Sequence, residues 1–213
     1  MKITLINGSP KPKESTSGLM MEYLGRFLGD SETCTYTLGA NGGKLREKGF
    51  EDVLDSDAVV FAFPLYIDSI PSHLLRLLTK LETKFRESEK KPMIYCIIVN
   101  GFFEGIHNCL AVDNMKYWCK RSGLTFGQAI GCGAGEMMPL IKNIPLGYGP
   151  NKNIGESLQD FAANILQGTG GEDFFVNPNW PRFLWKIQSS LYVWYPRAKQ
   201  NGITKKDVLR RLS

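Results

Sequence analysis

Ile3-Thr4-Leu5-Ile6-Asn7-Gly8-Ser9-Pro10-Lys11-Pro12-Lys13-Glu14-Ser15-Thr16-Ser17-Gly18 reads as an apolar strand, a loop of small and polar residues, and the opening of a helix in direct succession. A helix that starts this way leaves N–H groups without partners inside the helix, with the positive end of its dipole behind them, and so offers a cradle for a phosphate. Ser9, Ser15, Thr16 and Ser17 add hydroxyls to that end. The loop is not G-x-x-x-x-G-K-[ST], since no lysine precedes the hydroxyls at the helix start. It is not G-x-G-x-x-G either, since a single glycine opens it. Triphosphate hydrolysis and the dinucleotide fingerprint are therefore not indicated. An ordinary strand-to-helix turn with Ser15 or Thr16 as N-cap fits the loop equally well, and the loop alone does not choose.

Working outward, Leu19, Met20, Tyr23, Leu24, Phe27 and Leu28 have the spacing of a helix buried on one face. Glu32 to Leu38 reads as a second strand, Gly39 to Gly43 as a flexible loop, and Glu47 to Leu54 as a short helix. Ala58 to Phe63 is a continuous apolar run, as in parallel strands covered on both faces, and it stops at Pro64. The rigid loop Pro64 to Pro71 leads into a helix whose inward face is read as Leu74, Leu75, Leu77, Leu78, Leu81 and Phe85. A fourth strand ends at Val99 and delivers Asn100 to Gly105. Residues 108–122 read as a helix with Leu110, Met115, Trp118 and Cys119 inward, followed by a strand from Leu124 to Ile130. After a glycine- and proline-rich segment to Pro150, a helix spans about Ile154 to Leu166. Five strands alternating with five helices predict a parallel α/β sheet with helices on both faces, and ligands in such sheets sit outside the carboxyl ends of the strands.

Composition narrows the class. The 213 residues, 43% of them hydrophobic, suit one domain or one domain plus an extension. No apolar run reaches membrane-span length, and a strand directly after Met1-Lys2 leaves no room for a signal peptide, so the expected compartment is the cytoplasm. Five cysteines with no C-x-x-C pair point to buried thiols rather than a disulfide framework or metal site. The two histidines, His73 and His107, read as helix-surface or helix N-terminal residues rather than catalysts.

The paired loops resemble those of the flavodoxin-like NAD(P)H-dependent FMN reductases and their quinone and azo reductase relatives, over Met1 to about Leu166. Gly8-Ser9-Pro10 with Ser15-Thr16-Ser17 is similar to that family's phosphate loop, and Pro64-x-Tyr66-x-x-x-x-Pro71 to its flavin-ring loop. The resemblance implies a doubly wound five-stranded parallel sheet of order 2-1-3-4-5 over residues 1–170. It implies that Ser9, Lys11, Ser15, Thr16 and Ser17 hold the FMN phosphate, that Pro64, Leu65, Tyr66 and Ile67 flank the ring, and that Asn100, Gly101 and Phe102 meet its pyrimidine edge. NADH or NADPH would be the electron donor and a quinone or free flavin the small-molecule acceptor, with the chemistry at flavin N5 and no catalytic side chain or metal. A homodimer is also implied. A flavodoxin-type electron carrier and an FMN-binding sensor or scaffold are the alternatives. The family's iron–sulfur members carry a cysteine cluster between the second and third strands; Leu38 to Ser56 holds no cysteine.

Residues 171–213 form a basic, aromatic extension that short relatives lack. From Asn177 on there are eight Lys or Arg and one acid, a net of +7, leaving −2 for the rest of the chain. A helix from Pro181 to about Tyr195 would align Phe183, Ile187, Leu191 and Trp194. Packing on the body or on a dimer partner ranks first for this segment, then a membrane surface, with nucleic acid last. Thr204 to Asp207 resembles a capping box for a last short helix.

Overall fold

In chain order the elements are β1 (Lys2–Asn7), α1 (Thr16–Gly25), β2 (Glu32–Thr37), α2 (Glu47–Leu54), β3 (Ala58–Pro64), α3 (Ser72–Glu87), β4 (Met93–Val99), α4 (Cys109–Ser122), β5 (Phe126–Cys132), α5 (Lys152–Gln167) and β6 (Phe174–Val176). The helices α6 (Arg182–Ser189), α7 (Tyr195–Gln200) and α8 (Lys205–Val208) follow. This computed structural model describes residues 1–11, 13–39, 45–208 and 210. The flexible loop expected at Gly39 to Gly43 lies, from Ala40 on, outside the described residues, as do Pro12 and Leu209.

The strands form one sheet in the order β2-β1-β3-β4-β5-β6, every neighbouring pair parallel. Side chains alternate across it, so that β3 and β4 feed two cores. Val59, Phe61, Phe63, Ile94, Cys96 and Ile98 pack under Leu74, Leu78, Leu81 and Phe85 of α3 and Met115 and Trp118 of α4. Val60, Ala62, Tyr95 and Ile97 pack on the other face against Met20 and Leu24 of α1 and Leu158, Phe161 and Ile165 of α5. Burial on both faces is why these strands read as unbroken apolar runs. Trp118 is fixed twice, its ring edge-on to Phe61 at 5.7 Å and its indole N–H donating to the Leu78 carbonyl at 2.9 Å.

The sheet has six strands where five were expected. β6 pairs with Ile130–Cys132 of β5, and three residues are too few to show a period. Its signal was the Phe174-Phe175-Val176 triplet after Gly170-Gly171. The fifth strand runs two residues later than expected and includes Cys132. Leu75 and Leu110, expected inward, are 52% and 55% exposed, Leu75 one residue past the buried Leu74 and Leu110 one residue before the buried Ala111. His73, expected at a helix surface or a helix N-terminus, is the second residue of α3 and is buried.

The chain divides into two compact units, Met1–Pro178 and Asn179–Ser213. In the second, α6 passes through a π-turn at Ser190–Trp194 into α7. Pro196 has no N–H to donate and its ring would strike the carbonyl one turn back, so the widened turn relieves a helix that would otherwise kink. Half of the expected capping box forms: the Asp207 carboxylate accepts from the Thr204 N–H at 3.3 Å and from its hydroxyl, while the Asp207 N–H donates to the Thr204 carbonyl rather than to that hydroxyl.

Candidate flavin site

β1 is flanked by β2 on one side and β3 on the other, so the chain order reverses there and the loops after β1 and β3 diverge around a crevice. The β1 loop is organised by Asn7, the buried last residue of that strand. Its Oδ1 accepts the Ser9 N–H at 3.0 Å, and its Nδ2 donates to Ser15 Oγ at 3.0 Å, clamping both ends of the loop. Ser15 Oγ also accepts the Gly18 N–H at 3.0 Å, as an N-cap does. With both lone pairs of that oxygen engaged, its proton is free to donate outward. The first N–H groups of α1, on Thr16 and Ser17, have no acceptor inside the helix, and its first turn carries no acid. Donors and dipole therefore favour an anion at this spot. Ser9 Oγ accepts only the Lys11 N–H among the described residues, at 3.2 Å, which leaves its own proton available.

The loop is also held from below. Its Gly8 N–H donates to the Ala62 carbonyl of β3 at 2.7 Å, and the Gly8 carbonyl accepts from His73 Nε2 at 2.9 Å. A side chain at position 8 would meet Leu74 Cδ2 at 2.7 Å and Phe63 Cβ at 3.1 Å, so glycine lets the backbone settle onto α3. Glu14, with φ of 52°, turns the chain back toward Ser15.

After β3 the chain makes a two-residue hairpin. Tyr66 and Ser69 exchange N–H to carbonyl bonds of 3.1 and 3.0 Å, and both central residues, Ile67 and Asp68, have positive φ, 49° and 53°. That combination is a type I′ turn. Ile67 at its tip is 99% exposed, Tyr66 is half exposed, and Asn114 of α4 braces the turn through Ser69 Oγ at 3.1 Å. Pro64 closes β3, and the Leu65 N–H donates to the Val99 carbonyl at 2.8 Å, tying this loop to the end of β4.

Asn100, buried just past β4, donates from Nδ2 to the Glu104 carbonyl at 3.0 Å, while its Oδ1 has no partner among the described residues. A buried amide oxygen left unpaired is costly, and it marks a place for a donor from outside the chain. Gly101 and Phe102 are exposed, and the Phe102 ring lies 4.6 Å from that of His107. The β5 loop joins the other two: Thr16 Oγ1 donates to the Gly135 carbonyl at 3.2 Å, the Gly135 N–H to the Asn100 carbonyl at 2.8 Å, and the Ala134 N–H to the Phe102 carbonyl. The Gly105 N–H, closing the β4 loop, donates to Asn177 Oδ1 at 2.8 Å just past β6.

Ser9, Lys11, Ser15, Thr16 and Ser17 thus gather at the start of α1, with Pro64 to Ile67 and Asn100 to Phe102 on neighbouring strand ends. The Thr16 hydroxyl proton goes to Gly135, so Thr16 offers an incoming anion its N–H alone. Sequence reading missed Asn7, His73 and Gly135, which shape the loops through contacts 8, 65 and 119 residues away along the chain. The polar Asn7 closing an apolar strand was the one available signal. A groove of about 800 Å³ also touches the β1 loop at Lys13 to Ser15, but it runs over Thr33, Thr35 and Thr37 of β2, away from β3 and β4.

No protein-family model and no curated protein matches the chain. Solved structures match it in fold. A WrbA-like flavodoxin from Agrobacterium tumefaciens is 11% identical over 79% of this chain and 100% of its own, with a TM-score of 0.54. For an NADPH-quinone reductase from P. pentosaceus the values are 13%, 77%, 99% and 0.54. An FMN-dependent NADH-azoreductase from Bacillus anthracis, solved in complex with FMN, gives 12%, 78%, 100% and 0.52. The fold is flavodoxin-like.

Proposed function

We propose that this protein is an FMN-dependent oxidoreductase that passes hydride from NADH or NADPH through bound FMN to a small acceptor such as a quinone or free flavin. The observation that carries the reading is the pre-set β1 loop, in which Asn7 and Gly18 fill the acceptor positions of Ser15 Oγ and turn its proton outward beside the open N–H groups of Thr16 and Ser17. The unpaired Oδ1 of Asn100 supports it from the neighbouring loop, as an acceptor for an N–H at the edge of the ring. Ser9, Ser15 and the α1 N-terminus would hold the phosphate, the Pro64–Ile67 segment would flank the ring with main-chain groups, and Lys11 would add positive charge at the rim. Bound FMN supplies hydride chemistry at N5, and the residues around it bind and orient rather than exchange protons. The likeness to FMN-dependent azoreductase and NADPH-quinone reductase folds supports this class of chemistry.

The test is the visible spectrum of protein loaded with FMN and freed of excess, followed by anaerobic NADH or NADPH. Retained flavin bands that bleach promptly are the expected result. Bands that bleach only with a one-electron donor would replace the reductase with a carrier, and no binding in direct titration would remove the site.

A further inference from the structure

Residues 179–213 hold three of the four tryptophans and a net charge of +7, yet none of their described residues is buried. A segment this short and this aromatic has no core of its own to keep its side chains from water. What it has is a helix with an exposed apolar row and basic residues beside it. Phe183, Ile187 and Leu191 repeat at i, i+4 and i+8, Trp194 continues the row through the π-turn, and their exposures are 64%, 52%, 48% and 56%. Arg182 and Lys186 flank that row on one side of α6, and Trp185 and Ser189 lie opposite it. Lys199, Lys205, Lys206 and Arg210 follow in the next two helices and the end of the chain.

We propose that this unit is a surface anchor that lies in the plane of an anionic lipid bilayer, with its apolar row in the acyl boundary and its lysines and arginines among the headgroups. Among the described residues no helix is long and apolar enough to cross a membrane, so the anchor lies on the bilayer. Tryptophan, with an apolar body and one polar N–H, suits that boundary, and anionic headgroups draw a basic segment to it. A second copy of the unit is a poorer occupant, because two segments of +7 repel one another. A nucleic acid would engage the basic side and leave Ile187 and Leu191 in water. The proposal is independent of the flavin reading.

The experiment is flotation of the full chain with vesicles of phosphatidylglycerol and phosphatidylcholine, against vesicles of phosphatidylcholine alone, with tryptophan emission read in parallel. The protein should float with the anionic vesicles and its emission should shift to the blue. Binding should weaken by about tenfold or more when salt is raised and in Ile187→Asp and Leu191→Asp variants of unchanged circular dichroism. Failure to float at low salt, or undiminished flotation of both variants, would overturn the anchor. A dimer that Leu191→Asp splits without vesicles would assign the row to a second copy. Equal binding to a DNA duplex without a blue shift would assign the charge to nucleic acid.

Discussion

Ser9 and Ser15 would both serve the proposed phosphate position, but they differ in what else depends on them. Ser15 caps α1 and takes the Asn7 clamp, so Ser15→Ala should cost about 1 kcal/mol of stability in addition to FMN affinity. Ser9 takes one backbone N–H at 3.2 Å, so Ser9→Ala should leave stability nearly unchanged while weakening FMN by about 1.5–3 kcal/mol, on the order of tenfold to a hundredfold. Urea titration alongside flavin titration separates the two. Equal stability loss in both variants would mean that the cap is not what Ser15 contributes. At this scale the hydroxyls were legible in the sequence because residue type states hydrogen-bonding capacity. The partners were not: nothing near His73 along the chain announces the Gly8 carbonyl it meets.

Among the elements, the Tyr66–Ser69 turn holds backbone strain in the open. Isoleucine is branched at Cβ and resists positive φ, yet Ile67 sits at 49° with no packing to repay it, at 99% exposure. Replacing Ile67-Asp68 by Asn-Gly, the pair that type I′ turns favour, should raise stability by roughly 1 kcal/mol, read as a higher thermal midpoint. An unchanged or lower midpoint would mean that Ile67 is covered by something in solution. The main helices were legible from their periods, β3 and β4 from unbroken apolar runs buried on both faces, and β2, none of whose residues is buried, from its alternation. Leu75 and Leu110 were misread because an apolar residue beside a buried stripe looks like part of it until the helix is placed. β6 escaped because a three-residue strand is defined by its partner, Ile130–Cys132, and not by its own pattern.

For the molecule as a whole, the end of the sheet opposite the candidate site is tied by charge. Lys2 of β1 donates to Asp52 at 2.9 Å and Asp55 at 3.0 Å, Tyr36 donates to Asp52 at 2.5 Å, and Lys90 reaches Asp57 at 3.0 Å. The Tyr36 hydroxyl bond, then Lys2, holds the Asp52 carboxyl below its usual value, and Tyr36 in turn is pushed up to about 12, first by that bond. Lys2 lowers Asp55, and the Lys2 backbone N–H, then Lys90, lowers Asp57. Carboxyls depressed in the folded state contribute stability that is complete above the unfolded value near 3.8 and is lost as pH falls through the folded values. Acid unfolding should therefore begin below pH 4, and Asp52→Asn should move its midpoint upward; an unmoved midpoint would show the cluster to be fully screened. The parallel sheet itself was legible from strand and helix alternation, but this charge cluster joins residues some fifty positions apart and has no local signature. Distance along the chain also sets a clock. Gly105, closing the β4 loop, waits for Asn177, 72 residues later. At about 5–20 residues per second, a ribosome leaves that loop unfinished for roughly 4–14 s. The candidate site is thus among the last parts of the body to mature, and the basic unit emerges only after its final hydrogen bond can form.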